Sequence, residues 1–146
     1  MFKNLLNRLN GTASDEPLST DDARLAMAAL LVRVARVDHD YAPAEIAVIN
    51  ALLIQRYDLD AAGADALRNE AEALEANAPD TVRFTRLIKE AVPYKERNAV
   101  AESLWRVVLA DDERHHYEDS LLRLVVKLIG VSDRDSGLAR QRAQAD

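Results

Sequence analysis

Apolar residues recur along this chain at intervals of three and four, in one segment after another, and polar or acidic stretches separate the segments. That period is the signature of helices burying one face. Phe2, Leu5, Leu6 and Leu9 predict a short amphipathic helix, and Gly11 to Pro17 reads as a linker. A long helix is expected from about Thr20 to Val37, with Leu25, Ala28, Ala29, Val32 and Ala35 as its apolar face. Ser19 or Thr20 can cap it, and Asp21 and Asp22 fall in the first turn, where negative charge is favoured. The pattern breaks at Asp38 to Ala42, and Pro43 suits the first turn of a new helix carrying Ile46, Ile49, Leu52 and Leu53 to about Tyr57.

Asp60 is placed to cap a third long helix, with Leu67, Ala71 and Leu74 inward, ended by Asn77 to Asp80. Val82, Phe84, Leu87, Ile88 and Ala91 predict a further helix closed by Pro93. Another, from about Tyr94 to Ala110, carries Val100, Leu104, Val107 and Val108. Asp111 to Glu113 interrupts it. A strongly apolar helix over Leu121 to Ile129 follows, with Gly130 just past its end. Ser132 or Asp133 can cap a last short helix around Leu138, and Arg140 to Asp146 is expected to fray. The expected fold is all-α, a bundle of about seven helices. Residues 1–18 form an N-terminal helix and linker, 19–138 the helical domain, and 139–146 a frayed tail.

The 146-residue length suits one domain, and an apolar share of 49% is enough for a core. Aromatics make up 5% and β-branched runs are short, which favours helix over sheet. A formal charge of −6 argues against a general nucleic-acid binder, which needs clustered Lys and Arg. The absence of cysteine removes disulfides, thiolate metal sites and cysteine nucleophiles. Met1 to Asn10 lacks the apolar run of a signal peptide. No stretch approaches the roughly 20 apolar residues of a transmembrane segment. A cytoplasmic location is expected.

Shifting the sequence by 73 residues lays Asp38-His39-Asp40 on Asp111-Asp112-Glu113 and Glu45 on Glu118. Val48, Ile49 and Leu52 then fall on Leu121, Leu122 and Val125, Asp60 on Asp133, and Val34-Ala35 on Val107-Val108. The chain thus reads as an internal duplication of a helix–acidic loop–helix unit. In each copy a first Asp ends one helix, an acid follows two residues on, and a Glu falls in the next helix's first turn. A tight turn would bring Asp38, Asp40 and Glu45 toward one point, and Asp111, Glu113 and Glu118 toward another. Carboxylates about 4 Å apart repel by about 4 kcal/mol at an effective dielectric near 20. A cation between them, or backbone N–H groups and water, would relieve this. Hard oxygen donors suit Ca²⁺, Mg²⁺ or Mn²⁺. The competing explanation is capping without metal, which accounts for Glu45 but not for Asp38 and Asp40.

Each loop spans eight residues from first Asp to Glu and is not an EF-hand, which takes twelve with a Gly. His39, His115 and His116 all sit in the loops. Glu113 and His116 have the Glu-x-x-His spacing of di-iron bundles, but Asp40 and Pro43 at the matching positions break the pattern. Ser103 and Ser120 have no evident triad partners, and there is no phosphate loop or nucleophile elbow. Trp105, the single Trp, is read as core. These absences favour a protein that is not an enzyme.

Val37-Asp38-His39-Asp40 with Pro43-Ala44-Glu45 resembles the Ala-Asp-Gly-Glu … Glu signature of TerB-like proteins, and Ala110-Asp111-Asp112-Glu113 with Glu118 resembles its second occurrence. The likeness spans roughly Ser19 to Asp133. His39 and Asp112 stand where the signature has Gly, which changes the loop's conformational freedom. The resemblance implies an all-helical, duplicated fold linked to resistance to tellurite and other stresses. It also implies a divalent-cation site at the six acidic residues. The same helical unit accompanies J-domain co-chaperones. The expected function is a non-enzymatic stress-response module that binds a divalent cation and docks on a protein partner, with a homodimer allowed. The alternatives are a metal-free interaction domain of co-chaperone type and, third, a metal-dependent enzyme.

Overall fold

The structure, a computed structural model, describes residues 3–9, 19–36, 41–78, 81–110 and 116–145. Among the described residues there are eight α-helices and no strand. They are α1 (Lys3–Leu9), α2 (Thr20–Arg36), α3 (Pro43–Tyr57), α4 (Ala61–Asn77), α5 (Thr81–Ala91), α6 (Arg97–Leu109), α7 (His116–Leu128) and α8 (Asp133–Gln144). A 3₁₀ turn at Tyr94–Glu96 leads into α6, so the helix expected from Tyr94 starts three residues later.

α2 is the hub. Every residue from Leu25 to Val32 is buried, because Ala, Leu, Met and Val occupy all sides of the helix. It packs on α3, α4, α5, α6 and α7, most closely on α4. α6 packs most closely on α8. Leu5 of α1 is fully buried and belongs to the same core as α2, so the N-terminal helix docks on its own domain.

The helix ends follow local chemistry. The Ser19 hydroxyl accepts from Asp22 N–H at 3.1 Å, and the Asp60 carboxylate accepts from Gly63 N–H at 2.7 Å. The Ser132 hydroxyl accepts from Asp135 N–H at 3.1 Å, so Ser132 rather than Asp133 caps α8. Past α3 and α7 the chain turns left-handed, at Asp58 (φ 54°) and Gly130 (φ 90°). Leu59 N–H then reaches Ile54 C=O at 3.2 Å, and Val131 N–H reaches Val126 C=O at 2.9 Å. These are paired Schellman closures, and Gly supplies the positive φ at no steric cost.

Two expectations change. α7 begins at His116, so that histidine opens a helix and is not a loop residue. The chain after Leu138 is helical to Gln144, because Ser136, Ala139 and Ala143 form a buried stripe at helical spacing. α2 and α6 end at Arg36 and Leu109, and α3 and α7 begin at Pro43 and His116, both offset by 73. Asp58 and Gly130, and the caps Asp60 and Ser132, are offset by 72. One residue fewer lies between the start of α7 and its stop than in α3.

Candidate cation site

Of the six acidic residues expected at the two loops, Glu45 is described in full. Asp38, Asp40, Asp111 and Glu113 lie outside the described residues, together with His39 and His115 and the side chain of Glu118. Whether the two sets of carboxylates converge therefore lies outside them too. The described helices do fix where the two glutamates enter. Glu45 is the third residue of α3 and Glu118 the third of α7, each in the first turn after its loop.

Glu45 has no solvent exposure at all. Pro43 sets the first turn of α3, and the carboxylate folds back so that Oε1 accepts from the Ala42 N–H at 3.2 Å. This is half of a capping box: Ala42 has no side-chain oxygen for the return bond. Capping therefore accounts for one oxygen. Among the described residues, no group of three or more acidic or histidine side chains could hold a metal. Any cation at the first loop would have to draw on Glu45 together with Asp38 and Asp40.

Between Tyr41, α3 and α4 lies a polar network that periodicity in the sequence did not reveal. The Tyr41 hydroxyl donates to Glu72 Oε2 at 2.8 Å, and Arg68 Nη1 donates to the same oxygen at 2.8 Å. Arg68 also reaches Asn50 Oδ1 at 2.8 Å and Asp65 Oδ1 at 3.1 Å, and Asn50 Nδ2 donates to Asp65 at 2.9 Å. Burial, then the hydrogen bond to Glu72, pushes the Tyr41 phenol above its ordinary range. Burial alone would weaken the charge on Arg68, but Asp65 and Glu72 outweigh it and hold Arg68 above its ordinary value.

A second network closes α2 onto α4. Glu75 accepts from Arg33 Nε at 3.3 Å and from Arg36 Nη1 at 2.9 Å. Arg33 extends to Ala78 C=O at 2.8 Å and to Thr81 Oγ1 at 3.2 Å, and its guanidinium lies 4.9 Å from the Phe84 ring centre. Arg36 lies 5.0 Å from the Tyr41 ring centre. Glu72 and Glu75 are thus each paired with arginines. The Arg68–Glu72 spacing of four was a visible signal. The Tyr41 and Arg33 contacts span 31 to 48 residues and left none.

Trp105 is core, as its neighbours suggested. It is 4% exposed, and its indole N–H donates to Ser136 Oγ at 3.1 Å.

Among the described residues the protein is all-helical, with a buried carboxylate in the first turn of α3. Residues 24–141 match the family described as tellurite resistance protein TerB. The chain belongs to the TerB family, and is in that sense a tellurite-resistance-related module. No curated protein and no solved structure matches it. No helix among the described residues is long and apolar enough to cross a membrane.

Proposed function

We propose that this chain is a non-enzymatic, cytoplasmic stress-response module that binds a divalent cation through two duplicated acidic loops and docks on a protein partner. The observation that carries the cation is the burial of Glu45. Sealing a carboxylate from water costs several kcal/mol unless something compensates. A hard cation shared with Asp38 and Asp40 is one such compensation, added to the partners Glu45 has within the fold, and Glu118 is likewise the third residue of its helix, after Asp111 and Glu113 in the chain. The matching bounds of α2–α3 and α6–α7 support the duplication. One observation favours the metal-free co-chaperone-type reading: Glu45 Oε1 is already engaged by Ala42 N–H.

Thermal melts decide between them. A cation that binds only the folded chain stabilises it by about 2.7 kcal/mol at a hundredfold excess over its dissociation constant. Melts in Ca²⁺, Mg²⁺ or Mn²⁺ should rise above those of chelator-treated protein. Asp38→Asn with Glu45→Gln removes the first loop's share, and Asp111→Asn with Glu118→Gln the second's. In chelator these variants match or exceed wild type, because repulsion has been removed. A wild-type melt indifferent to all three ions at millimolar concentration leaves the metal-free reading standing.

A further inference from the structure

The negative charge is unevenly placed. Residues 1–77 carry seven Lys and Arg against thirteen Asp and Glu, and residues 78–146 carry twelve of each, so the whole excess lies in the first half. Within the second half, basic side chains collect around a cleft of about 510 Å³ between α7 and α8. Arg123 and Lys127, one turn apart on α7, and Arg140 on α8 line it, with Asp133 as the one carboxylate. Leu124 stands 48% exposed between the two α7 cations. Trp105 lies at the base, with the Arg140 guanidinium 5.0 Å from its ring centre.

The side chains of Arg123, Lys127 and Arg140 make no ion pair or hydrogen bond among the described residues, and Arg140 Nε is buried without an acceptor. Several other arginines are matched, Arg33 and Arg36 to Glu75, Arg68 to Asp65 and Glu72, and Arg142 to Glu102, whereas Arg24 and Arg56 share with Arg140 a buried Nε without an acceptor but do not line this cleft. Three unmatched cations around one open, partly apolar cleft are a complementary surface for negative charge.

We infer that this cleft is a docking groove for an acidic peptide segment of a partner protein, one that places a large apolar side chain against Leu124 between the cations. The inference rests on the docking half of the proposed function and uses none of the residues of the cation half. A stacked nucleobase is disfavoured, because Trp105 is almost wholly covered. A lipid surface is disfavoured, because the cations line a cleft that a flat headgroup layer would not enter.

Trp105 is the chain's single Trp and reports on the cleft directly. The full chain is titrated with a blocked peptide of Glu and Leu, a matching peptide of Lys and Leu, inorganic phosphate, and phosphatidylserine vesicles. Binding is read by Trp105 emission and by the NMR resonance of its indole N–H. The Glu–Leu peptide should shift both saturably, and the other three should not. Raising salt from about 50 to about 300 mM should weaken binding several-fold, because exposed charges are screened beyond a few ångströms. Arg123→Glu with Lys127→Glu, both exposed positions, should raise the dissociation constant at least about tenfold while leaving the melt in place. Silence toward the acidic peptide, equal binding by the double variant, an equal response to phosphate or vesicles, or a concentration-dependent shift of the chain alone would each overturn the inference. The last would mean that a second copy fills the cleft. All four outcomes leave the cation melts, and the reading they test, untouched.

Discussion

Val32 is fully buried on α2 and Trp105, 73 residues on, is buried on α6; Ala64 is fully buried on α4 and Ser136, 72 residues on, is buried on α8. The first three-helix unit, α2 to α4, buries only small aliphatic groups at these places. The second, α6 to α8, places a buried hydrogen bond there, from the Trp105 indole to Ser136. The polarity of the ion pairs is reversed as well. In the first unit the inner helix gives the cations, Arg33 and Arg36, to Glu75 of the outer helix. In the second the inner helix gives Glu102 to Arg142 of the outer one. Helix spans of this kind can therefore be closed by different side-chain chemistry. The backbone plan is specified by apolar spacing and stops, and the means of closure is chosen site by site.

The largest expected effect separates the two buried positions. Trp105→Ala should cost about 3–5 kcal/mol in urea denaturation, and Val32→Ala roughly 2 kcal/mol. Equal costs would remove the distinction between a unit pinned by one large side chain and a unit filled by small ones. Trp105→Phe sharpens the point, since the loss should fall to the order of 1 kcal/mol for the hydrogen bond.

The ion pairs come next. Glu75 is 13% exposed and holds two arginines, so Glu75→Ala should cost about 2 kcal/mol by leaving Arg33 and Arg36 without their carboxylate. Glu102→Ala should cost below about 1 kcal/mol, because Arg142 is 49% exposed and solvated. Chemical denaturation of the two variants side by side checks the order, and a costlier Glu102→Ala would break it. The smallest effect is shared: Asp60→Ala and Ser132→Ala should each cost about 1 kcal/mol, measured by thermal melts. A cap that mattered in one unit alone would place the contrast at the helix starts and not in the interior.

The helices were legible in the sequence because each depends on neighbours three or four residues away. Ser19, Asp60, Ser132 and Gly130 all act where their spacing put them. The reach of α8 to Gln144 was missed because its inward face is Ser136, Ala139 and Ala143, too small to register as an apolar stripe among Arg and Gln. The entry of Glu45 into its helix's first turn was legible from Pro43. Its complete burial was not, since that depends on helices packed around it. The Tyr41–Glu72–Arg68 network and the cationic cleft escaped for the same reason: each joins side chains that only the packed fold brings together.

α2 is apolar on every side from Leu25 to Val32 and comes second in the chain. Translation therefore delivers it, and α3 and α4 to cover part of it, before α5, α6 and α7 exist to cover the rest. In that interval the nascent chain presents an uncovered strip of Met, Leu and Val to water, the condition under which an emerging polypeptide needs protection from aggregation. The helix that organises the finished core is thus left partly uncovered while the chain is being synthesised.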